Sequence, residues 1–233
     1  MLSIETEHWH GVLQGLAEGF RDAPEIQVVK VARPQQLDAK RLRKLQLDGL
    51  ITRIVNRAEE GVVVGLGVPV INVSGRYHAS RVENVFNDDV RIGQMAAAFF
   101  QRRGFRHFGF CGVQQHLSSR LRQRGYASEL AGVDAVPEEL IFPELPEGDA
   151  PSLKAVRQIE GWLQGLEKPI ALFGFNDAVA RAVAEACVEG GFNIPGDVAI
   201  LGVDNDDIQL GFSAIALSSI ELNRRQIGLM AAK

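Results

Sequence analysis

The sequence has little cysteine and no hydrophobic run that approaches the length of a transmembrane helix. Its two cysteines, Cys111 and Cys187, each lie within an apolar stretch, and we interpret both as small buried residues. No N-terminal segment has the pattern of a secretory signal peptide. Sparse cysteine is typical of the reducing cytoplasm, so the expected localisation is cytoplasmic, with no membrane contact.

A strongly basic surface is also missing. The 233 residues carry 25 Lys and Arg against 29 Asp and Glu, a net charge of −4, and the basic residues are scattered. Because a site for duplex DNA requires a basic face, these residues are not expected to bind DNA themselves. The one dense basic run, residues 40–44, has Leu42 and Leu45 interleaved. This spacing favours the solvent-exposed side of an amphipathic helix over a polyanion site.

Enzyme motifs are absent as well. The sequence contains no glycine loop ending in Lys-Ser or Lys-Thr, no dinucleotide fingerprint after its first strand and no nucleophile elbow. Ser118 and Ser119 near His116 form only a weak fragment of a catalytic triad. His8 and His10 lack carboxylate or cysteine partners at metal spacing. The sequence therefore predicts no catalytic residue, metal or cofactor, and it favours binding over catalysis.

Strand-like and helix-like patterns alternate along the whole chain. Helices of about ten or more residues separate short strands that are apolar on both faces, the pattern of parallel sheets with right-handed crossovers. The irregular stretch 74–87 separates two such series. We predict an α/β fold with two doubly wound parallel-sheet lobes and a ligand cleft between them. The predicted strands cover residues 1–5, 26–31, 48–55, 68–74, 106–112, 140–144, 169–175 and 197–205.

The stretch "ALFGFNDAVARAVAEA", residues 171–186, runs from an apolar strand through Asn176 and Asp177 directly into a helix. Asn and Asp are good helix N-caps, because their side-chain oxygens accept hydrogen bonds from the free N–H groups of the first turn. The carboxyl ends of parallel strands also face the ligand crevice, where an amide and a carboxylate can hold a polar small molecule. The two interpretations are compatible, and the motif alone favours capping.

Asp204 and a group of arginines are further candidates for the predicted cleft. Asp204 lies at the end of another apolar strand, either as part of a turn or as a carboxylate that accepts hydrogen bonds from neighbouring sugar hydroxyls. Arg120, Arg122 and Arg124 lie near the start of a predicted helix, where the helix dipole disfavours positive charge. A guanidinium facing the cleft would explain one of them.

The first predicted lobe offers weaker candidates near the amino terminus. Glu5 and Thr6 lie at the end of the first predicted strand, at the edge where the cleft is expected. Trp9, in the helix that follows, either stacks on a sugar ring or packs that helix, and packing is the favoured interpretation.

One notable stretch is "RGFRHFGFCG" with the following "SSRLRQRGY". Another is "FGFNDAVARAVAEACVEGGFNIPGDVAILGVDND", with its Asn-Asp, Pro-x-Asp-Val and Gly-x-Asp features. Together these two stretches resemble the lactose-repressor family, which shares its fold with the type I periplasmic sugar-binding proteins. The C-terminal "IALSSIELNRRQIGLMAAK" is similar to the xylose-operon regulators, in which this pair of lobes precedes an AraC-type DNA-binding domain.

The resemblance implies a function and a set of contacts. The chain would be the sugar-binding effector domain of a cytoplasmic transcription regulator that senses xylose or a related monosaccharide. Arg122, Asn176 and Asp204 would contact sugar hydroxyls, and Asp177 fits such a role as well. The alternative is a secreted sugar-binding protein of a transporter.

The resemblance also implies how the chain is organised. Residues 1–86 with 219–233 would form the N-terminal lobe, and residues 87–218 the C-terminal lobe. The regulator would act as a homodimer, and it would contact DNA only through a domain outside this chain.

Overall fold

Nine α-helices and eight β-strands lie along the described residues, which are 6–29, 38–143 and 152–233 of the computed structural model. The helices are α1 (Thr6–Gly19), α2 (Ala39–Arg43), α3 (Arg57–Val64), α4 (Asp89–Gln101), α5 (Leu117–Leu130), α6 (Leu153–Gln164), α7 (Asp177–Glu189), α8 (Asp207–Gly211) and α9 (Arg224–Ala231). The strands are β1 (Leu50–Thr52), β2 (Val70–Asn72), β3 (Glu83–Asn84), β4 (His107–Val113), β5 (Glu138–Phe142), β6 (Ile170–Gly174), β7 (Val198–Asp204) and β8 (Ser218–Glu221). None of these helices is long and apolar enough to span a membrane.

The strands form two parallel sheets, which confirms the predicted α/β fold. The first sheet has the order β1-β2-β3, and the second has the order β5-β4-β6-β7-β8. In the second sheet the chain begins at β4, adds β5 on one side and continues with β6 on the other. The strand order therefore reverses between β4 and β6, and open α/β sheets bind their ligands at such a switch point.

The chain divides into two compact units, residues 1–87 with 223–233 and residues 88–222. The predicted boundaries, after residues 86 and 218, both lie earlier than these. The boundary predicted after residue 218 lies after residue 222 because β8 pairs with β7, which keeps the residues of β8 in the second sheet. The chain leaves the second unit only after that strand ends.

One predicted strand is wrong over its described part. Residues 26–29 form no strand, and Val28 and Val29 are 62% and 52% exposed. An apolar run is not sufficient for a strand, because a strand also needs a hydrogen-bonded neighbour, and none of the described strands pairs with these residues. Residues 1–5, 30–31 and 144 of the predicted strands lie outside the described residues. β3, α8 and β8 are not predicted, because each is short and largely polar.

Each unit has its own hydrophobic core. In the second unit the core lies between the sheet and its helices, where Phe110, Tyr126 and Phe173 form a fully buried aromatic cluster with ring centroids 5.2–6.3 Å apart. Cys111 and Cys187 are buried in the same core as free thiols, as the sequence predicts. In the first unit, α9 packs against α1 and shares a smaller core with it.

Two helix pairs cross at glycines, one pair in each unit. Between α4 and α5, a Cβ on Gly93 would lie 2.0 Å from the carbonyl oxygen of Arg122. Between α1 and α9, a Cβ on Gly15 would lie 2.0 Å from the carbonyl oxygen of Arg225. Because interiors are close-packed, a side chain at either position would push two helix backbones apart. In the second unit this contact fixes the backbone of Arg122.

Candidate functional site

The candidate site lies at the carboxyl-end edge of the second sheet. Because its strands are all parallel, β4, β6, β7 and β8 end at one edge, at Val113, Gly174, Asp204 and Glu221. The switch point between β4 and β6 falls at this edge. Polar side chains that follow these strand ends are therefore the first candidates for ligand contact.

Arg122 reaches this edge from α5 and is almost completely buried, with 4% of its surface exposed. Its Nε donates a hydrogen bond to Oδ1 of Asp89 at 2.8 Å, and its Nη1 donates to the carbonyl oxygen of Phe175. The guanidinium thus lies beside the residue that precedes Asn176. Its remaining N–H groups have no hydrogen-bond partner within the described residues. Arg120, by contrast, is exposed and donates to the carbonyl oxygen of Gln114 at 2.6 Å.

Asp89 is a candidate site residue that the sequence does not reveal. It is the first residue of α4, where an acidic residue is ordinary, and only the fold brings it to Arg122, 33 positions further along the chain. Burial raises the pKa of the Asp89 carboxyl, and the charge and hydrogen bond of Arg122 oppose that rise. Its second carboxylate oxygen has no hydrogen-bond partner in the described part of the chain.

Asn176 caps α7, which confirms the capping interpretation. Its backbone is extended, and its Oδ1 accepts a hydrogen bond from the N–H of Val179 at 3.0 Å. The side chain is half-buried, and its amide nitrogen has no partner among the described residues. The cap therefore uses one end of the amide and leaves the other end for a different contact.

Asp177 is 1% exposed, and both of its carboxylate oxygens are engaged inside the second unit. Its Oδ1 accepts a hydrogen bond from the Ser219 hydroxyl at 2.6 Å, and its Oδ2 accepts one from the N–H of Asp206 at 2.9 Å. Burial raises the pKa of Asp177 to about 6; the two hydrogen bonds lower it, and the charges of Asp204 and Asp206 raise it further. The sugar contact of Asp177 stays a prediction, and these bonds leave little of the carboxylate for it.

Asp204 ends β7 in an unusual backbone conformation. Its φ is +116° and that of Asn205 is +47°, values that residues other than glycine seldom adopt. The N–H of Asn205 donates to Oγ of Ser219 at 3.0 Å, and Asp206 caps α8. Asp204 is partly exposed at the same edge as Asn176, because β6 and β7 are neighbouring strands.

The first-unit candidates stay predictions. Glu5 lies outside the described residues, and Thr6 and Trp9 lie within α1. At the end of β2, Asn72 is fully buried, and its Oδ1 accepts hydrogen bonds from the N–H groups of Ile54 and Ser74. Its amide nitrogen donates to three further oxygens. This strand end is therefore occupied by internal hydrogen bonds.

The weak motifs found in the sequence have structural roles. Ser119 is buried, and its Oγ accepts a hydrogen bond from the N–H of Val113 at 2.8 Å, which ties α5 to the end of β4. The basic run forms α2 with Leu42 buried and Lys40 and Arg41 exposed, as in an amphipathic helix, whereas Leu45 lies beyond the end of α2 and is 36% exposed. No group of three or more His, Cys, Asp or Glu residues within 6–29, 38–143 and 152–233 could hold a metal ion.

Comparison with known proteins gives a consistent family and fold. A family model described as the periplasmic binding protein-like domain matches residues 97–233. The xylose operon regulatory protein of Escherichia coli strain K12 is 25% identical over 191 residues, which are 80% of this chain and 49% of that protein. This chain therefore spans about half the length of the curated relatives it matches.

Solved structures agree on the fold. The structure of the xylose-binding transcription activator XylR matches with a TM-score of 0.80 at 21% identity, covering 100% of this chain and 60% of that one. The complex of the transcriptional regulator CelR with cellobiose matches with a TM-score of 0.76 at 18% identity, covering 97% and 70%. These matches bear out the resemblance that the sequence predicts.

Proposed function

Because the chain belongs to the periplasmic binding protein-like domain family, we propose that it is the sugar-binding effector domain of a transcription regulator. We propose further that its ligand is xylose or a related monosaccharide. The relatives described above support this assignment: their names identify regulators of transcription, one of a xylose operon, one that binds xylose and one in complex with cellobiose. None of these three is named as an enzyme.

The observation that carries the proposal is the set of polar groups at one sheet edge. Arg122 reaches the carbonyl oxygen of Phe175, Asn176 follows directly, and Asp204 ends the neighbouring strand. Asp89 joins this set through its ion pair with Arg122. They gather at the edge that contains the switch point, which is the expected ligand position in this type of sheet.

The chemistry of these groups suits a sugar. Neighbouring hydroxyls of a monosaccharide both donate and accept hydrogen bonds, and a carboxylate or a guanidinium can engage two of them at once. Arg122 and the amide nitrogen of Asn176 would donate, and Asp89 and Asp204 would accept. Because Arg122 and Asp89 are already fixed by each other, little side-chain entropy would be lost on binding.

The backbone at Asp204 supports the same proposal. A non-glycine residue with φ of +116° costs about 1–3 kcal/mol, and such conformations concentrate at functional sites. Placing the Asp204 carboxylate against a ligand would account for this cost.

Regulation would follow from selective binding. A sugar changes the activity of a regulator only if it binds one form of the protein more tightly than the other, and a swing from 1:99 to 99:1 needs about 5.5 kcal/mol. With a net charge of −4, this chain has no excess of basic residues for DNA, so DNA contact would belong to another part of the regulator. We expect the regulator to act as a homodimer in the cytoplasm, where the DNA is.

The test is a calorimetric titration of the 233-residue chain with D-xylose, D-ribose, L-arabinose, D-glucose and cellobiose. We expect measurable binding of at least one pentose. Arg122→Lys should weaken binding about tenfold or more, because an ammonium group cannot reproduce the planar fork of a guanidinium. Asp204→Asn should have a similar effect, because it replaces one of the two carboxylate acceptors with a donor.

Two matched variants control for the substitutions themselves. Arg120→Lys changes an exposed arginine on the same helix, and Asp134→Asn changes an exposed aspartate that also has a positive φ, of +56°. Neither should change the affinity, and thermal melts without sugar should show all four variants folded. Failure of every sugar to bind, or equal binding by all four variants, would overturn the proposal.

A further inference from the structure

The turn after β7 needs support that its own sequence does not supply. Asp204 and Asn205 both have positive φ values, and neither is a glycine. Such a backbone persists only where surrounding contacts hold it. The contacts that hold this turn come from two other elements, α7 and β8.

A single carboxylate holds the turn at two points. Oδ2 of Asp177 accepts the N–H of Asp206 directly at 2.9 Å. Oδ1 of Asp177 accepts the hydroxyl of Ser219 at 2.6 Å, and Oγ of Ser219 in turn accepts the N–H of Asn205 at 3.0 Å. The two backbone N–H groups that follow Asp204 are therefore both fixed, one by Asp177 and one by Ser219.

The neighbouring strand is shaped for this carboxylate. A Cβ on Gly202 of β7 would lie 2.2 Å from Oδ1 of Asp177, so the carboxylate fits only because residue 202 is a glycine. With 1% of its surface exposed and both oxygens engaged, Asp177 has almost no surface left for a ligand. Its position indicates that Asp177 acts through the residues that it contacts, Ser219 and Asp206.

We propose that Asp177 and Ser219 are positioning residues that hold the Asp204–Asn205 turn in the conformation that binds the sugar. Asp177 therefore affects binding without contacting the ligand, in contrast to the contact that the family resemblance implies. The effect on affinity rests on the proposed function, whereas the effect on the turn does not. Ser219 also places this support on β8, the last strand before the chain leaves the second unit.

The experiment measures the turn and the affinity separately in the 233-residue chain. Amide hydrogen exchange by NMR reports on the N–H groups of Asn205 and Asp206, and calorimetric titration with D-xylose reports on binding. Ser219→Ala removes the hydroxyl, and Ser219→Thr restores one on a residue type that strands favour. Ser218→Ala is the matched control, because Ser218 is an exposed serine on the same strand.

The proposal expects a specific pattern. In Ser219→Ala the Asn205 amide should exchange about tenfold faster and the affinity should fall about tenfold, the effect of one lost hydrogen bond. Ser219→Thr should recover both, and Ser218→Ala should change neither. Asp177→Asn should accelerate hydrogen exchange at the Asp206 amide. The double variant, Asp177→Asn with Ser219→Ala, should lose less affinity than the sum of the losses of the two single variants, because both residues act through the same turn.

Two results would overturn the proposal. One is unchanged Asn205 exchange in Ser219→Ala, which would show that the hydroxyl does not hold the turn. The other is faster exchange with unchanged affinity, which would show that the turn does not serve binding. If even the unsubstituted chain binds no sugar of the panel, the proposed function fails instead, and the exchange data still decide whether Asp177 and Ser219 hold the turn.

Discussion

Asn56 in the first unit and Asn176 in the second begin helices in the same way, but their surroundings differ. Both have extended backbones, and in each the Oδ1 atom accepts the N–H of the residue three positions later, at 2.9 Å and 3.0 Å. Asn56 is exposed, whereas Asn176 is half-buried beside Phe175, whose carbonyl oxygen is bound by Arg122. Capping is a local property that the two share. A second role depends on neighbours from distant parts of the chain.

The two units also differ in how far the polar side chains near their strand ends are used by internal hydrogen bonds. In the first unit the amide of Asn72 is saturated by internal hydrogen bonds, and its role is to hold the surrounding loops. In the second unit Asp89, Arg122 and Asn176 keep donors or acceptors that no described residue uses. We therefore expect polar residues at a strand end to hold a ligand only where the fold leaves part of their hydrogen-bonding capacity open.

The largest expected effect comes from the glycine crossings, where the two units are alike in packing. Gly93→Ala and Gly15→Ala each place a methyl group 2.0 Å from a carbonyl oxygen of the partner helix. Each should lower the free energy of unfolding by about 3 kcal/mol, because neither helix pair can separate without losing its contacts. Only Gly93→Ala should also weaken sugar binding, because the carbonyl that it displaces belongs to Arg122.

Urea unfolding followed by tryptophan fluorescence measures the free energy of unfolding of these variants. The chain has two tryptophans, Trp9 in the first unit and Trp162 in the second. Gly161→Ala is the matched control, because nothing lies within 4 Å of a Cβ at that helical position. It should be neutral or slightly stabilising, as alanine favours helix over glycine. Equal losses of affinity in Gly93→Ala and Gly15→Ala would remove the distinction between the two units.

The second effect concerns two buried carboxyl groups that should respond to pH in opposite directions. Burial raises the pKa of Asp177 from 3.8 to about 6, so its contribution to stability is present below pH 4 and is lost as the pH rises through 6. Burial also acts to raise the pKa of Glu60, but hydrogen bonds from Arg81, Tyr77 and Ser80 and the Arg81 charge outweigh it and lower the pKa below 4.5. The contribution of Glu60 is therefore present above pH 4.5 and is lost as the pH falls through its lowered pKa.

Unfolding free energies of the unsubstituted chain, Asp177→Asn and Glu60→Gln between pH 3 and pH 7 test this comparison. The advantage of the unsubstituted chain over Asp177→Asn should shrink by about 2 kcal/mol between pH 4 and pH 7. Its advantage over Glu60→Gln should grow as the pH rises from 3 to 5. If the two differences changed in the same direction with pH, the environments of the two carboxyl groups would not be those described.

Local patterns predict the fold and part of the candidate site. The alternation of strands and helices and the cap at Asn176 follow from neighbouring residues, and both are confirmed. Asp89 and Ser219 could not be predicted, because they meet Arg122 and Asp177 across 33 and 42 positions of sequence. The strand expected at 26–29 fails for a related reason, since a strand depends on its neighbour as well as on its own residues.

The measurement that tests the central claim most directly is the D-xylose affinity of Asn176→Ser compared with Asn56→Ser. Serine keeps the capping oxygen in both variants, so the melting temperature without sugar should barely change in either. The shorter hydroxyl cannot cap the helix and also reach a sugar group, so Asn176→Ser should bind about tenfold more weakly, a loss of about 1.4 kcal/mol, while Asn56→Ser binds normally. Equal and undiminished affinity in both variants would show that Asn176 is only a helix cap and would contradict the assignment of the sugar site to this edge.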